Sequence, residues 1–191
     1  MKIGLLGGSF NPIHNGHIAL ANAAYNTLKL DKILFLPSGN HPLKRNDEIL
    51  PFKTRFKLIK TVLENYPQFK VSDLDSQYEN LSYTDELIKR LKMQFPDDEF
   101  FFIVGTDIIK ELPLWHNWHW LLNNVNIVVA NRPDTNKTTW KNLDYLNKLN
   151  FIEMKPVNVS SNMIREKIKR GESISGLVLE EVEKEICRLY S

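Results

Sequence analysis

Short, mostly apolar runs alternate along this chain with segments whose apolar residues recur at helical spacing, and few folds accept that alternation. The runs are Lys-Ile-Gly-Leu-Leu at 2–6, Lys-Ile-Leu-Phe-Leu at 32–36, Glu-Phe-Phe-Phe-Ile-Val at 99–104 and Val-Asn-Ile-Val-Val-Ala at 125–130. They read as strands buried on both faces, the state of a parallel sheet. Shorter strands are expected at 69–72 and 151–154. Between them, Ile18, Ala21, Tyr25 and Leu28 share one helical face. Phe52, Phe56, Ile59, Val62 and Leu63 form a second, with Pro51 in its first turn. Thr84, Leu87, Ile88, Leu91 and Phe95 form a third, with Ser82 as cap and Asp85 as its capping-box partner. Residues 140–148 read as a further helix. Two more close the chain: one is capped by Ser160-Ser161-Asn162 and stops at Gly171, and the other carries Val178, Val182, Ile186 and Leu189. Together these predict an α/β fold: a doubly wound, Rossmann-like parallel sheet with helices on both faces and right-handed crossovers. At 191 residues, one domain spanning 1–191 is expected.

Ligands of such sheets bind beyond the carboxyl ends of the strands. The conspicuous polar residues fall there: His14, Asn40, Lys44, Asp107 and Arg132. The first strand runs into Gly7-Gly8-Ser9-Phe10-Asn11-Pro12-Ile13-His14-Asn15-Gly16-His17, a strand-to-helix turn. Gly7 and Gly8 lack a Cβ, so the backbone is expected to turn sharply and let a ligand close; Gly16 is expected to leave the surface open. The coming helix start offers unpaired N–H groups and a positive dipole end, suited to phosphate. His14 and His17 would then face a polyphosphate and stabilise charge growing at its α-phosphorus. A cationic imidazole about 4 Å away is worth roughly 4 kcal/mol at an effective dielectric of 20, before discounts. Spacing alone fits a pair of cap or core histidines as well.

Two further constellations follow. In Val159-Ser160-Ser161-Asn162-Met163-Ile164-Arg165, Ser161 and Arg165 lie four apart on one helical face. Hydroxyls, helix N–H groups and a guanidinium fork suit β- and γ-phosphates; a serine cap beside an exposed arginine is the plainer reading. Gly105-Thr106-Asp107, with Trp115 further on, offers an acid for ribose hydroxyls and a ring for stacking; a helix cap and a core tryptophan fit too.

Composition removes other classes. A net charge of +2 gives no broad basic field for nucleic acid. Cys187 is the sole cysteine, so there is no internal disulfide and no cysteine-built zinc cluster. No apolar run approaches the roughly 20 residues of a membrane span. The N-terminus reads straight into a strand, with no signal peptide, and a cytoplasmic location is expected. Oligomeric state stays open, a homo-oligomer included.

The stretch from Gly7 to His17 resembles the HxGH signature of the nucleotidylyltransferase superfamily, and in its details the bacterial nicotinate mononucleotide adenylyltransferases. Val-Ser-Ser-Asn-Met-Ile-Arg at 159–165 is similar to that family's Ile-Ser-Ser-Thr-x-Ile-Arg, and Gly105-Thr106-Asp107 with Leu112 and Trp115 to its Gly-Ser-Asp…Leu…Trp. Asn40-His41-Pro42-Leu43-Lys44 resembles its Pro-Pro-His-Lys loop, Ser82-Tyr83-Thr84 its substrate-side segment, and Arg132 an Arg-Pro. Asn11 stands where the family more often has Asp; Val159 and Asn162 also depart from its pattern. The resemblance implies transfer of an adenylyl group from ATP, carried with Mg²⁺, to nicotinate mononucleotide. It implies His14, His17, Lys44 and Arg165 as the catalytic set. ATP would meet Gly7, Gly8, Ser9, Phe10, His14, Gly16, His17, Gly105, Asp107, Ser160, Ser161 and Arg165, the helices of 160–190 completing its site. The mononucleotide would meet Asn40, Lys44, Tyr83, Thr84, Trp115 and Arg132. No protein-held metal is implied. The alternatives are a superfamily transferase acting on phosphopantetheine, FMN or a cytidylyl acceptor, and a non-catalytic dinucleotide sensor. The sensor would need a Gly-x-Gly-x-x-Gly turn, where this chain has Gly7-Gly8-Ser9.

Overall fold

The computed structural model describes residues 1–39, 49–77, 83–131, 140 and 143–191. Among them, six strands form one sheet: β1 (Lys2–Gly8), β2 (Lys32–Pro37), β3 (Phe69–Val71), β4 (Glu99–Gly105), β5 (Asn126–Asn131) and β6 (Asn150–Glu153). Their order is β3-β2-β1-β4-β5-β6, and every pairing is parallel. The order turns back at β1, so β1 and β4 are neighbours whose connections run to opposite sides, which makes their carboxyl ends a switch-point crevice.

The helices are α1 (Asn15–Leu28), α2 (Phe52–Leu63), α3 (Thr84–Gln94), α4 (Ile108–Glu111), α5 (Trp118–Asn124), α6 (Ser161–Lys169) and α7 (Glu180–Tyr190). Strand period two divides the apolar residues between two cores. Leu6 joins the core under α1, α2, α6 and α7, whereas Ile3 and Leu5 join the one under α3, α4 and α5. Helices therefore cover both faces, as the alternation of elements predicts.

Some expectations need correction. The buried stripe of α2 is Arg55, Leu58, Ile59, Val62 and Leu63. Phe52 and Phe56 are only half-buried and lie against each other, ring centres 5.8 Å apart. Arg55 can sit inside because carbonyl oxygens await its guanidinium there. In α3 the cap position is Tyr83, and Ser82 lies outside the described residues. Asp85 is not set up as a capping-box partner: it is fully buried, and its carboxylate meets Lys89, His116 and Asn117. Phe95 is exposed, because the chain leaves the helix there with φ −134° and ψ 70°. Among the described residues of 140–148 there is no α-helix, and Leu146–Lys148 winds into a 3₁₀ turn. Trp140, Tyr145 and Leu149 are each buried, at spacings that no single helical face provides. The α6 expectation holds: Ser160 is the cap and its hydroxyl accepts from the Met163 N–H.

Ile164, wholly buried in α6, shares its core with Val182 and Ile186 of α7. Ile164→Ala should cost about 2–5 kcal/mol. Met93→Ala, at a side chain 75% exposed, should stay within about 0.5 kcal/mol. Urea denaturation of both variants checks the pair.

Candidate active site

The carboxyl ends of β1 and β4 open into a cleft of about 1050 Å³. Its floor is glycine. A Cβ built on Gly7 or Gly8 would make only ordinary contacts, at 3.4 Å to Phe102 and 3.5 Å to Phe10, and one on Gly105 would meet nothing within 4 Å. Protein packing therefore does not demand these glycines, and the space they leave belongs to the cleft. Gly7 and Gly8 are also still strand residues. The turn comes later, at Phe10, which has a φ of +45°. The Phe10 ring is buried against Phe35 and the edge of His17, so only its backbone is available to a ligand.

Residues from α2, α6 and α7 hold the turn. Arg55 is 2% exposed and donates to three carbonyls: Leu50 at 2.7 Å, Ser9 at 2.7 Å and Ser38 at 2.8 Å. Arg165 donates through one amino group to the Asn11 carbonyl at 2.7 Å and through the other to Asn162 Oδ1 at 3.2 Å. Ser161 donates its hydroxyl to the Pro12 carbonyl. Asn11 Oδ1 accepts from the Leu50 N–H and from the Tyr190 hydroxyl. The Ser161–Arg165 face thus grips the turn as well as lining the cleft, and the Ser160 hydroxyl is taken up as a helix cap.

The two histidines differ. His14 is the N-cap of α1, 7% exposed, and its buried Nδ1 has no hydrogen-bond partner among the described residues. Burial pushes its pKa from 6.5 down to about 4, so the expected cationic imidazole is neutral at His14. Its ring lies flat behind His17, centres 3.7 Å apart and planes at 23°. His17 lines the cleft, and its Nδ1 accepts from the His14 backbone N–H at 3.2 Å. In the neutral ring that bond puts the proton on Nε2, making it a donor. Gly16 does not leave the surface open. A Cβ there would press at 3.0 Å on both the His14 ring and Val159.

Further along the wall stand Tyr83, Thr84, Leu114, Trp115 and His116. Tyr83 stacks on His116 at 4.4 Å, and Trp115 meets Phe102 edge-on at 5.9 Å. Behind them, Asp85 takes Lys89 Nζ at 2.7 Å, His116 Nδ1 at 2.8 Å and Asn117 Nδ2 at 2.9 Å. Burial alone would raise the Asp85 carboxyl pKa; those hydrogen bonds outweigh it and hold the group below its ordinary range.

The cleft therefore brings together Gly7, Gly8, Ser9, Phe10, His17, Tyr83, Thr84, Gly105, Asp107, Trp115, Ser160, Ser161 and Arg165. His14 and Gly16 lie behind its wall. Asn40, Lys44 and Arg132 fall outside the described residues. Arg55 and His116 were not singled out in the sequence. A lone arginine at a buried position of a helical stripe was the available signal for Arg55; for His116 there was only its place after Trp115. Among the described residues, no group of three or more His, Cys, Asp or Glu could hold a metal ion, and no helix is long and apolar enough to cross a membrane.

A doubly wound parallel sheet with a glycine-floored cleft at its switch point defines a nucleotide-binding α/β protein. The family model described as cytidylyltransferase-like matches residues 5–167. A probable nicotinate-nucleotide adenylyltransferase of Fusobacterium nucleatum is 39% identical over 193 residues, covering 100% of this chain and 99% of its own. One from Clostridium novyi is 38% identical, covering 94% and 92%. The nicotinic acid mononucleotide adenylyltransferase of Plasmodium falciparum, solved with NaAD, superposes with a TM-score of 0.80 at 19% identity, covering 99% and 97%, and shares the fold. The chain belongs to the cytidylyltransferase-like family and, within it, to the nicotinate-nucleotide adenylyltransferases.

Because His14 sits at about 4 when folded and 6.5 when not, the unfolded chain binds a proton in that window that the folded chain does not. Stability should fall as pH drops from about 7 towards 4, by on the order of 3 kcal/mol. His14→Asn, with nothing to protonate there, should flatten that part of the profile. Urea midpoints across the window measure it; superimposable wild-type and variant curves would mean a solvated imidazole.

Proposed function

We propose that the chain transfers the adenylyl group of ATP to nicotinate mononucleotide, giving nicotinate adenine dinucleotide (deamido-NAD) and pyrophosphate, in NAD biosynthesis. The observation that carries this is the glycine floor at the ends of β1 and β4, which leaves room where packing asks for none. Family membership supplies the substrate pair. In the reaction, an oxygen of the mononucleotide phosphate attacks the ATP α-phosphorus, and the bond to the β-phosphate oxygen breaks. The attacking group is already an anion at neutral pH, so neither a nucleophilic side chain nor a general base is required.

Catalysis on this reading is positioning plus charge stabilisation. His17 Nε2–H donates to the α-phosphate as its charge grows. His14 acts from behind: neutral and stacked, it sets the His17 tautomer through its backbone N–H. The start of α1 supports the same phosphate, and the start of α6 with Arg165 supports the β- and γ-phosphates, which is how the C-terminal helices complete the ATP site. Gly105 and Asp107 border the nucleotide. Tyr83, Thr84 and Trp115 receive the pyridine ring, and Asn40, Lys44 and Arg132 remain substrate contacts by family likeness.

A hard cation needs oxygen ligands, and the described wall offers Asp75, Asp107 and Glu111 without a three-membered acidic or histidine group. It fits Mg²⁺ that arrives on the triphosphate, there neutralising phosphate charge, better than a protein-held ion. The cytoplasmic location expected from the sequence is part of the same proposal, and cell fractionation tests it.

Pyrophosphate release from ATP should require nicotinate mononucleotide. Release only with phosphopantetheine or FMN would move the chain to another transferase of the superfamily, and release with none would make it a sensor. His17→Ala should lower kcat about 10²- to 10³-fold while the ATP KM changes much less. A rise in the ATP KM at unchanged kcat would remove His17 from the transition state.

A further inference from the structure

The aromatic end of the cleft is carried by a link of three residues. Trp115, His116 and Asn117 join the 3₁₀ turn Leu112–Leu114 to α5. Trp115 and His116 line the cleft, while His116 and Asn117 are exposed to solvent. A short exposed link of this kind is ordinarily mobile. Its backbone is also unusual: Asn117 has φ 49° and ψ 35°, in the left-handed region. The backbone bond across it, from the Trp118 N–H to the Trp115 carbonyl, is long at 3.3 Å.

What fixes the link reaches it from α3. Asp85 is 0% exposed and lies behind the wall. Its Oδ1 accepts from His116 Nδ1 at 2.8 Å, and its Oδ2 accepts from Asn117 Nδ2 at 2.9 Å and from Lys89 Nζ at 2.7 Å. An ionised carboxylate only accepts, so His116 donates from Nδ1 whether its ring is neutral or charged. One buried group therefore holds two successive residues of the link. Lys89 supplies the counter-charge that a carboxylate buried this completely needs. Its Nζ lies 4.8 Å from the centre of the Trp120 ring, in α5 beyond the link.

We propose that Asp85 is a positioning residue for the transfer: through His116 and Asn117 it sets the Trp115–His116 wall where the mononucleotide ring is received, without touching substrate. This rests on the mononucleotide reading above. The role lies in hydrogen-bond geometry and not in charge, since Asp85 and Lys89 cancel. Substitutions separate the two. Asp85→Ala removes both bonds to the link. Asp85→Asn can keep all three contacts: its amide oxygen accepts from Lys89 and Asn117, and its amide nitrogen donates to His116 Nδ1 in the other tautomer. Lys89→Met removes the counter-charge and leaves the bonds to the link.

The test measures initial rates of the whole chain, varying nicotinate mononucleotide at saturating ATP and then the reverse, beside thermal melts. Asp85→Ala should raise the mononucleotide KM about 10-fold, with the ATP KM and kcat changed less than about 3-fold. Asp85→Asn should keep the mononucleotide KM within about 3-fold of wild type. Lys89→Met should melt earlier with that KM equally preserved. If Asp85→Ala does not fold, Asn117→Gly takes its place: glycine enters the left-handed region freely, drops one bond, and should raise the same KM by a smaller factor. The inference is overturned by an unmoved mononucleotide KM in the bond-breaking variant, or by an equal rise in both KM values. Asp85→Asn or Lys89→Met matching Asp85→Ala overturns it as well, by tying the effect to charge or to stability. A wild-type chain that makes no dinucleotide from the mononucleotide overturns the functional reading itself.

Discussion

One guanidinium holds together the chain segments from which the cleft is built. Arg55 reaches out of α2 to the carbonyls of Ser9, Ser38 and Leu50, and so joins the turn after β1, the end of β2 and the entry to α2. Its burial lowers the guanidinium pKa, yet an arginine stays charged even so. An ordinary hydrophobic side chain would forfeit three hydrogen bonds from a charged donor, each worth about 1.5–3 kcal/mol. From the opposite side, Arg165 and Ser161 hold the carbonyls of Asn11 and Pro12. The turn is thus braced from both sides by residues distant in sequence.

That explains what could and could not be read from the chain. The sheet was legible because parallel strands buried on both faces must be apolar throughout, as 32–36 and 99–104 are. The switch point followed, and with it Gly7, Gly8 and Gly105. The Ser160 cap was legible because its side chain acts within one turn of α6. Arg55, Asp85 and His116 were not, because their meaning depends on partners brought together only by the fold. Residues 140–148 misled for a related reason. Trp140, Tyr145 and Leu149 are held by separate contacts, such as the Tyr145 hydroxyl on the Ile109 carbonyl, and not by one helical face.

Asn11 illustrates the difference between a motif letter and a physical role. Its Oδ1 is an acceptor for the Leu50 N–H and the Tyr190 hydroxyl. An aspartate oxygen could accept the same two bonds, so the departure at this position leaves the scaffolding role intact. The histidines divide in the same way. Two identical side chains three residues apart hold different posts because one ring is sealed under Val159 and Gly16 and the other faces the cleft.

The Tyr190 bond to Asn11 spans 179 positions. The backbone at the floor of the cleft is thus tied to α7, so fraying of that one helix would loosen Asn11 while the sheet's own pairings stayed whole.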